Sequence, residues 1–340
     1  MENEKKRIRY FDVARGIGIL LVIIGHFGIG TINKFIYSFH MPLFFCSAGY
    51  FTKIDNNRGH YINKRGRQLL VPYYFTCLCV IVGAVLIDLM KGNDGLSLVL
   101  DVKMWVLSGL YASGNIEVFG IKRIGAIWFL WALFISQIIF QECVRHRYYY
   151  IIAMVFFLIG IVSGNSIWLP LSIQPAFTCV VFLLLGYIAK QKNTFENISW
   201  KTIALFLGIW VLGIFVCNTN VAKNYYSHSV LNIIVATCGS YIVICASKGF
   251  TDVKKFKTLA QILEYLGNNS LIIMCFHLIE LNLINWNRIY SFFLDNGMNR
   301  VSTYLICFLI KFVYLLATVY MVHHVKLLAM VFSTHYSRIK

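Results

Sequence analysis

The stretch Tyr10-Phe11-Asp12-Val13-Ala14-Arg15-Gly16-Ile17-Gly18-Ile19-Leu20-Leu21-Val22-Ile23-Ile24-Gly25-His26 sets three ionisable groups into an otherwise apolar run. Charged and titratable side chains are costly inside a bilayer, so their presence in such a run marks a functional site. Arg15 and His26 are eleven steps apart. On a helix that rotation, about 1100°, returns to within roughly 20° of the starting face and advances about 16 Å. The spacing predicts a polar track that enters the membrane from one side, with an imidazole well inside it. Asp12, one turn before Arg15, can pair with it at i, i+3 and fix its orientation.

Composition agrees with a membrane setting. Of 340 residues 59% are hydrophobic and 13% charged, against about a quarter charged in ordinary soluble domains. The net charge of +17 does not describe a nucleic-acid surface, because the cations fall in short clusters between apolar runs. They read as topology signals and as a site for anionic ligands. Runs of membrane-spanning length fall near 12–31, 36–52, 72–90, 124–141, 149–164, 170–189, 202–217, 230–247, 266–285 and 301–322. The expected fold is an all-α integral membrane protein of about ten transmembrane helices, one polytopic domain over residues 1–340 with no appended soluble domain.

Most Lys and Arg residues lie in the loops that share a side with the N-terminus, including Lys5, Lys6, Arg7, Arg65, Lys255 and Lys326. The positive-inside rule then predicts both termini to be cytoplasmic. The basic start followed by an apolar run lacks a small-residue cleavage site and reads as a retained first helix. The segment Lys91 to Arg123, Gly-rich with Trp105 and Tyr111, is expected to fold onto the outer membrane surface as a cap. The ten cysteines form no CxxC pair and no metal-ligand spacing, so they read as small packing residues and no metal is expected.

Several motifs resemble the acyltransferase family three of integral membrane O-acyltransferases. The first stretch matches that family's Arg, ten residues, His signature. Phe39-His40-Met41-Pro42-Leu43-Phe44-Phe45 with Ala48-Gly49-Tyr50-Phe51 is similar to its second helix, and Lys64-Arg65-Gly66-Arg67-Gln68-Leu69-Leu70-Val71-Pro72-Tyr73 to its basic loop. Trp128-Phe129-Leu130 resembles its fourth helix, and Leu266-Gly267-Asn268-Asn269-Ser270-Leu271 with His277 its ninth. The branch most similar is the fucose 4-O-acetylase-like one. Where relatives often read Arg-x-x-Arg, this chain has Lys64 to Arg67, a point charge in place of a bidentate fork.

Acyl transfer from a thioester to a sugar hydroxyl needs a base at the hydroxyl, stabilisation of an oxyanion, and anchorage for the donor's phosphates. His26 is the candidate base, because imidazole titrates near neutrality. Arg15, oriented by Asp12, is the candidate for the donor end of the reaction; the alternative is an arginine that snorkels to lipid phosphate. Lys64, Arg65 and Arg67 form a candidate site for the phosphates of coenzyme A, set against their ordinary role as topology determinants. His40 and Trp128 fall where an acceptor glycan would approach, and interfacial Trp is also a common membrane anchor. His277 and Glu280, one turn apart, read either as an internal pair or as a second acid/base element.

The resulting expectation is a multi-pass protein of the bacterial plasma membrane. It moves acetyl from cytoplasmic acetyl-CoA to a hydroxyl of an extracytoplasmic or lipid-linked cell-envelope carbohydrate. Membrane lipid is its surroundings, nucleic acid is not a partner, and a homo-oligomer is compatible with this reading. The rivals are a transporter of a small anion or lipid-linked sugar, which also uses intramembrane His and Arg, and a non-catalytic envelope scaffold.

Overall fold

The computed structural model describes residues 8–92, 95–114, 116–117, 120–164 and 168–333. Lys5, Lys6, Arg7, Arg338 and Lys340, which enter the topology reading, lie outside the described residues. The chain is helical almost throughout: α1 Arg9–Gly25, α2 Gly30–Tyr37, α3 His40–Tyr50, α4 Arg58–Met90, α5 Gly95–Tyr111, α6 Trp128–Cys143 and α7 Tyr149–Gly164. There follow α8 Ile173–Gln191, α9 Trp200–Val216, α10 Val230–Asp252, α11 Lys257–Asn268, α12 Ser270–Leu283, α13 Trp286–Asp295, α14 Arg300–His324 and α15 Lys326–Val331. A two-residue antiparallel ladder joins β1, Thr219–Asn220, to β2, Tyr225–Tyr226.

Among the described residues, four segments are long and apolar enough to cross a membrane: Arg58–Met90, Pro170–Gln191, Val230–Asp252 and Arg300–His324. A fifth arises if the pair broken at Asn269 is one span. The helices Trp128–Cys143, Tyr149–Gly164 and Trp200–Val216 are apolar but shorter. Leu78, Val82, Leu86 and Leu89 form an exposed stripe along α4, and Val301, Leu305, Leu309 and Val313 one along α14. Apolar stripes of that length left uncovered by protein are what a lipid-facing helix presents.

The structure corrects two sequence-based boundaries and adds a helix within a third segment. The first run does not continue to residue 31: Gly28 adopts φ +75°, a left-handed value that glycine tolerates and that stops a right-handed helix. Residues 58–71 are not a loop, because Asn57 caps α4 through its side chain, which accepts from the His60 N–H at 2.9 Å. From that cap the helix continues past Pro72, which lies inside it. The expected surface cap between Lys91 and Arg123 contains α5, whose Gly109 carbonyl accepts from the Tyr73 hydroxyl at 2.7 Å.

By contacts the chain forms two compact units. The first comprises Met1–Lys53, Cys179–Val221 and Tyr225–Ser270. Its centre is α1, packed most extensively on α11 and also on α10 and α3. A Cβ on Gly16 would overlap the Leu263 carbonyl and one on Gly267 would overlap the Asp12 carbonyl, so α1 and α11 touch backbone to backbone. The same reciprocal arrangement joins α3 and α8, where Gly49 meets Leu183 and Gly186 meets Cys46. Close crossing at small residues replaces the hydrophobic drive that lipid removes. Around these crossings Phe11 packs on Tyr50 at 4.4 Å, Phe51 at 5.0 Å and Phe195 at 5.6 Å between ring centroids.

The second unit comprises Ile54–Thr178, Ala222–Asn224 and Leu271–Lys340. Asn224 is buried there and bridges two helices, accepting from the Thr178 hydroxyl at 2.7 Å and donating to the Gly160 carbonyl at 2.7 Å. The short α15 is pinned by Phe332, whose ring lies 5.9 Å from Phe75 of α4 and 6.0 Å from Phe276 of α12.

Candidate functional site

In the first unit Asp12 is buried within the first turn of α1, and Arg15 follows on the next. The Arg15 guanidinium lies 3.3 Å from Asp12 Oδ1 and 5.6 Å from the centre of the Phe51 ring. An ion pair on one side and an aromatic face on the other hold the guanidinium plane in a defined orientation. Its side chain keeps 30% exposure, enough to meet an anion.

His26 is not in mid-helix; it is the C-cap of α1 and is exposed. Its Nδ1 lies 2.8 Å from the Val22 carbonyl oxygen. A carbonyl only accepts, so Nδ1 carries the hydrogen, and the neutral ring then presents Nε2 as a proton acceptor. That is the tautomer a general base requires. His40, the first residue of α3, makes the same bond to the Ile36 carbonyl at 2.8 Å, but it is buried, with its ring 5.4 Å from that of Tyr37.

In the second unit the basic cluster occupies the first turns of α4. The turn before it is fastened to the end of α6: the Asp55 carbonyl accepts from Arg145 and, at 3.3 Å, from Gln141, while Arg58 pairs with Glu142 at 2.7 Å. Asp55 Oδ2 accepts from His60 Nδ1 at 3.0 Å and Oδ1 from the Asn57 N–H at 2.9 Å. Those donors, His60 first, hold the Asp55 carboxyl below its ordinary pKa. His60, Asn63, Lys64, Arg67 and Gln68 share one face of α4, the i, i+3, i+4, i+7, i+8 stripe. With Lys326, Ala329, Met330 and Ser333 they line an open groove of about 620 Å³. Arg65 is turned away: its guanidinium stacks 5.4 Å from Tyr61 and donates to Gln68 Oε1 at 3.2 Å. Of the three sequence-predicted phosphate ligands, two therefore line the groove and the third props the helix.

Trp128 begins α6 and is buried, its ring filling the space a side chain on Gly114 would need. His277 and Glu280 pair within α12, Nδ1 to Oε1 at 2.7 Å, and both are fully buried. The sequence reading missed their partner. Lys311 of α14 donates to Glu280 Oε1 at 2.9 Å and Oε2 at 3.1 Å, and its Nζ sits 3.8 Å above the Trp286 ring. A lysine in the middle of an apolar span was the available signal. Glu280 thus meets both Lys311 and the imidazole Nδ1, an arrangement of the kind that orients a histidine base. Among the described residues no group of His, Cys, Asp or Glu side chains has metal-site geometry.

Apolar helices of membrane length in an otherwise all-α fold, with Arg15 and His26 eleven residues apart along α1 and its cap and a basic groove on α4, define a helical membrane protein. The chain belongs to the acyltransferase family three: the family's acyltransferase domain matches residues 8–324. It is similar to the nodulation protein NolL of Mesorhizobium japonicum, 28% identical over 248 residues, which is 66% of this chain and 59% of that protein. It also resembles NolL of Sinorhizobium fredii, 27% identical over 219 residues, 58% of this chain and 53% of that one. The chain thus spans less than two thirds of the curated relatives it matches. No solved structure matches it.

Proposed function

We propose that this membrane acyltransferase moves acetyl from acetyl-CoA to a hydroxyl of an extracytoplasmic or lipid-linked cell-envelope carbohydrate. The observation that carries the reading is the exposed His26 imidazole, its Nδ1 hydrogen committed to Val22, on a chain of the acyltransferase family. His26 Nε2 takes the hydroxyl proton as the oxygen attacks the thioester carbonyl. The C–O bond forms, the C–S bond breaks, and the proton passes to the departing thiolate. Arg15, held by Asp12, stabilises negative charge at the donor end. Lys64 and Arg67 hold donor phosphate, with Arg65 supporting their helix. His40, Trp128, His277 and Glu280 serve the acceptor side, buried polar and aromatic groups of the kind that bind sugar hydroxyls and ring faces. Ten spans with both termini cytoplasmic, in the bacterial plasma membrane, accommodate a donor from one side and an acceptor from the other.

The test is mass spectrometry of envelope glycans from a deletion strain and from the same strain complemented with native or His26→Ala protein. The proposal expects a loss of about 42 Da per acetylated site on deletion, the increment of one acetyl group in this acyl-transfer class. Native protein restores it and His26→Ala does not. Unchanged glycan masses on deletion would end the proposal, and full restoration by His26→Ala at equal abundance would remove the base.

A further inference from the structure

The groove on α4 has a second wall that no family motif covers. Lys326, the first residue of α15, faces the same space as Lys64 and Arg67, with His60, Asn63 and Ser333 completing the polar lining. We propose that Lys326, Lys64 and Arg67 form a clamp for a phosphomonoester, and that the group it takes is the 3′-phosphate of the acyl donor; this rests on the acetyl-CoA reading above.

Three observations carry the clamp. First, the cations come from two helices fixed against each other, since Phe332 seats α15 between Phe75 and Phe276, so their convergence does not depend on a loop. Second, none of the described residues lining the groove is acidic. The nearby Asp55 carboxylate is engaged by His60 Nδ1 and the Asn57 N–H, and it orients the His60 ring instead of cancelling the groove's charge. Third, a space of about 620 Å³ lies within the roughly 300–1,000 Å³ typical of small-molecule sites and has the apolar Ala329 and Met330 in its lining. A dianionic terminal phosphate beside a purine needs that combination: several cations for the phosphate and an apolar surface for the base. A cluster that served only as a topology signal would need no second wall.

The test uses the full chain reconstituted in phosphatidylcholine vesicles, with acetyl-CoA and acetyl-3′-dephospho-CoA as probes and equilibrium dissociation constants as the readout. The clamp predicts that native protein binds acetyl-CoA about tenfold more tightly than the dephospho analogue, the scale of one charge-assisted contact. Lys326→Ala should erase that preference by weakening acetyl-CoA alone, and Lys326→Arg should keep it. Lys326 is exposed, so the substitution leaves the fold intact. If Lys326→Ala weakens both donors equally, or neither, while native protein binds acetyl-CoA, the clamp is wrong and the donor assignment stands. If native protein binds neither donor, both fall. A Lys326→Ala defect confined to retention of added phosphatidylglycerol would make the groove a lipid headgroup site and overturn the proposal.

Discussion

Glu280 and Lys311 offer the sharpest physical test of the second unit. Both side chains are buried, at 0% and 3% exposure, and the lysine meets both carboxylate oxygens within 3.1 Å while lying 3.8 Å from the Trp286 ring centre. Removing either partner leaves a charge in a low-dielectric interior, a loss of about 3–5 kcal/mol. Replacing both with neutral residues of similar volume removes the attraction and the desolvation cost together, which is often close to neutral. Glu280→Gln and Lys311→Met should therefore each destabilise strongly, while the double variant recovers most of the loss, giving a coupling of about 2 kcal/mol or more in a double-mutant cycle. Equilibrium unfolding in mixed micelles can be followed with a thiol-reactive fluorophore, because most of the chain's free cysteines are buried. Single variants that each lose less than about 1 kcal/mol, or a double variant that loses their sum, would refute the assignment of these groups as a buried ion pair.

Further outcomes follow from the other contacts. Gly267→Ala should push α11 off the Asp12 carbonyl and cost about 1–3 kcal/mol as overpacking does; thermal stability in detergent checks it, and an unchanged midpoint would contradict backbone contact at that crossing. Arg15→Gln should depress acetyl transfer far more than Arg15→Lys, since the lysine retains charge beside Asp12; equal loss in both would assign the role to guanidinium geometry in place of charge. Acetyl-CoA affinity should fall several-fold as ionic strength rises from about 0.05 to 0.3 M, because the groove's cations are exposed and screened; a flat profile would remove them from donor binding.

What could be read from sequence followed local spacing. The i, i+3 pairs Asp12 with Arg15 and His277 with Glu280 are present at 3.3 and 2.7 Å, because one helical turn dictates that proximity. Apolar run length indicated α8, α10 and α14. The misses have physical causes. Lys311 is 31 residues from Glu280; its place in an apolar span flags a site, but local spacing does not name its partner. The α4 helix extends upstream of Pro72 because the Asn57 cap and the anchoring of Asp55 by Arg145 and Gln141 favour helix there. Pro72 lies inside that helix, which forgoes one intrahelical hydrogen bond at that point. Asp101 and Lys103 interrupt the apolar pattern of α5; Asp101 pairs with Lys122 at 3.3 Å. The termination of α1 at Gly25 was signalled by the glycines that follow, and it moves His26 from the middle of a span to its end. The two glycine crossings explain why Gly49 and Gly267 sit in these motifs: they let helices meet, and chemistry is left to their neighbours.

The most direct measurement of the central claim is the transfer of labelled acetyl from acetyl-CoA to an envelope glycan fraction by vesicles carrying native or His26→Ala protein, with acetyl-CoA affinity measured in parallel. The account predicts a loss of roughly 10²–10⁴-fold in transfer, the usual contribution of a general base, with donor affinity unchanged. Transfer by His26→Ala at the native rate would contradict it.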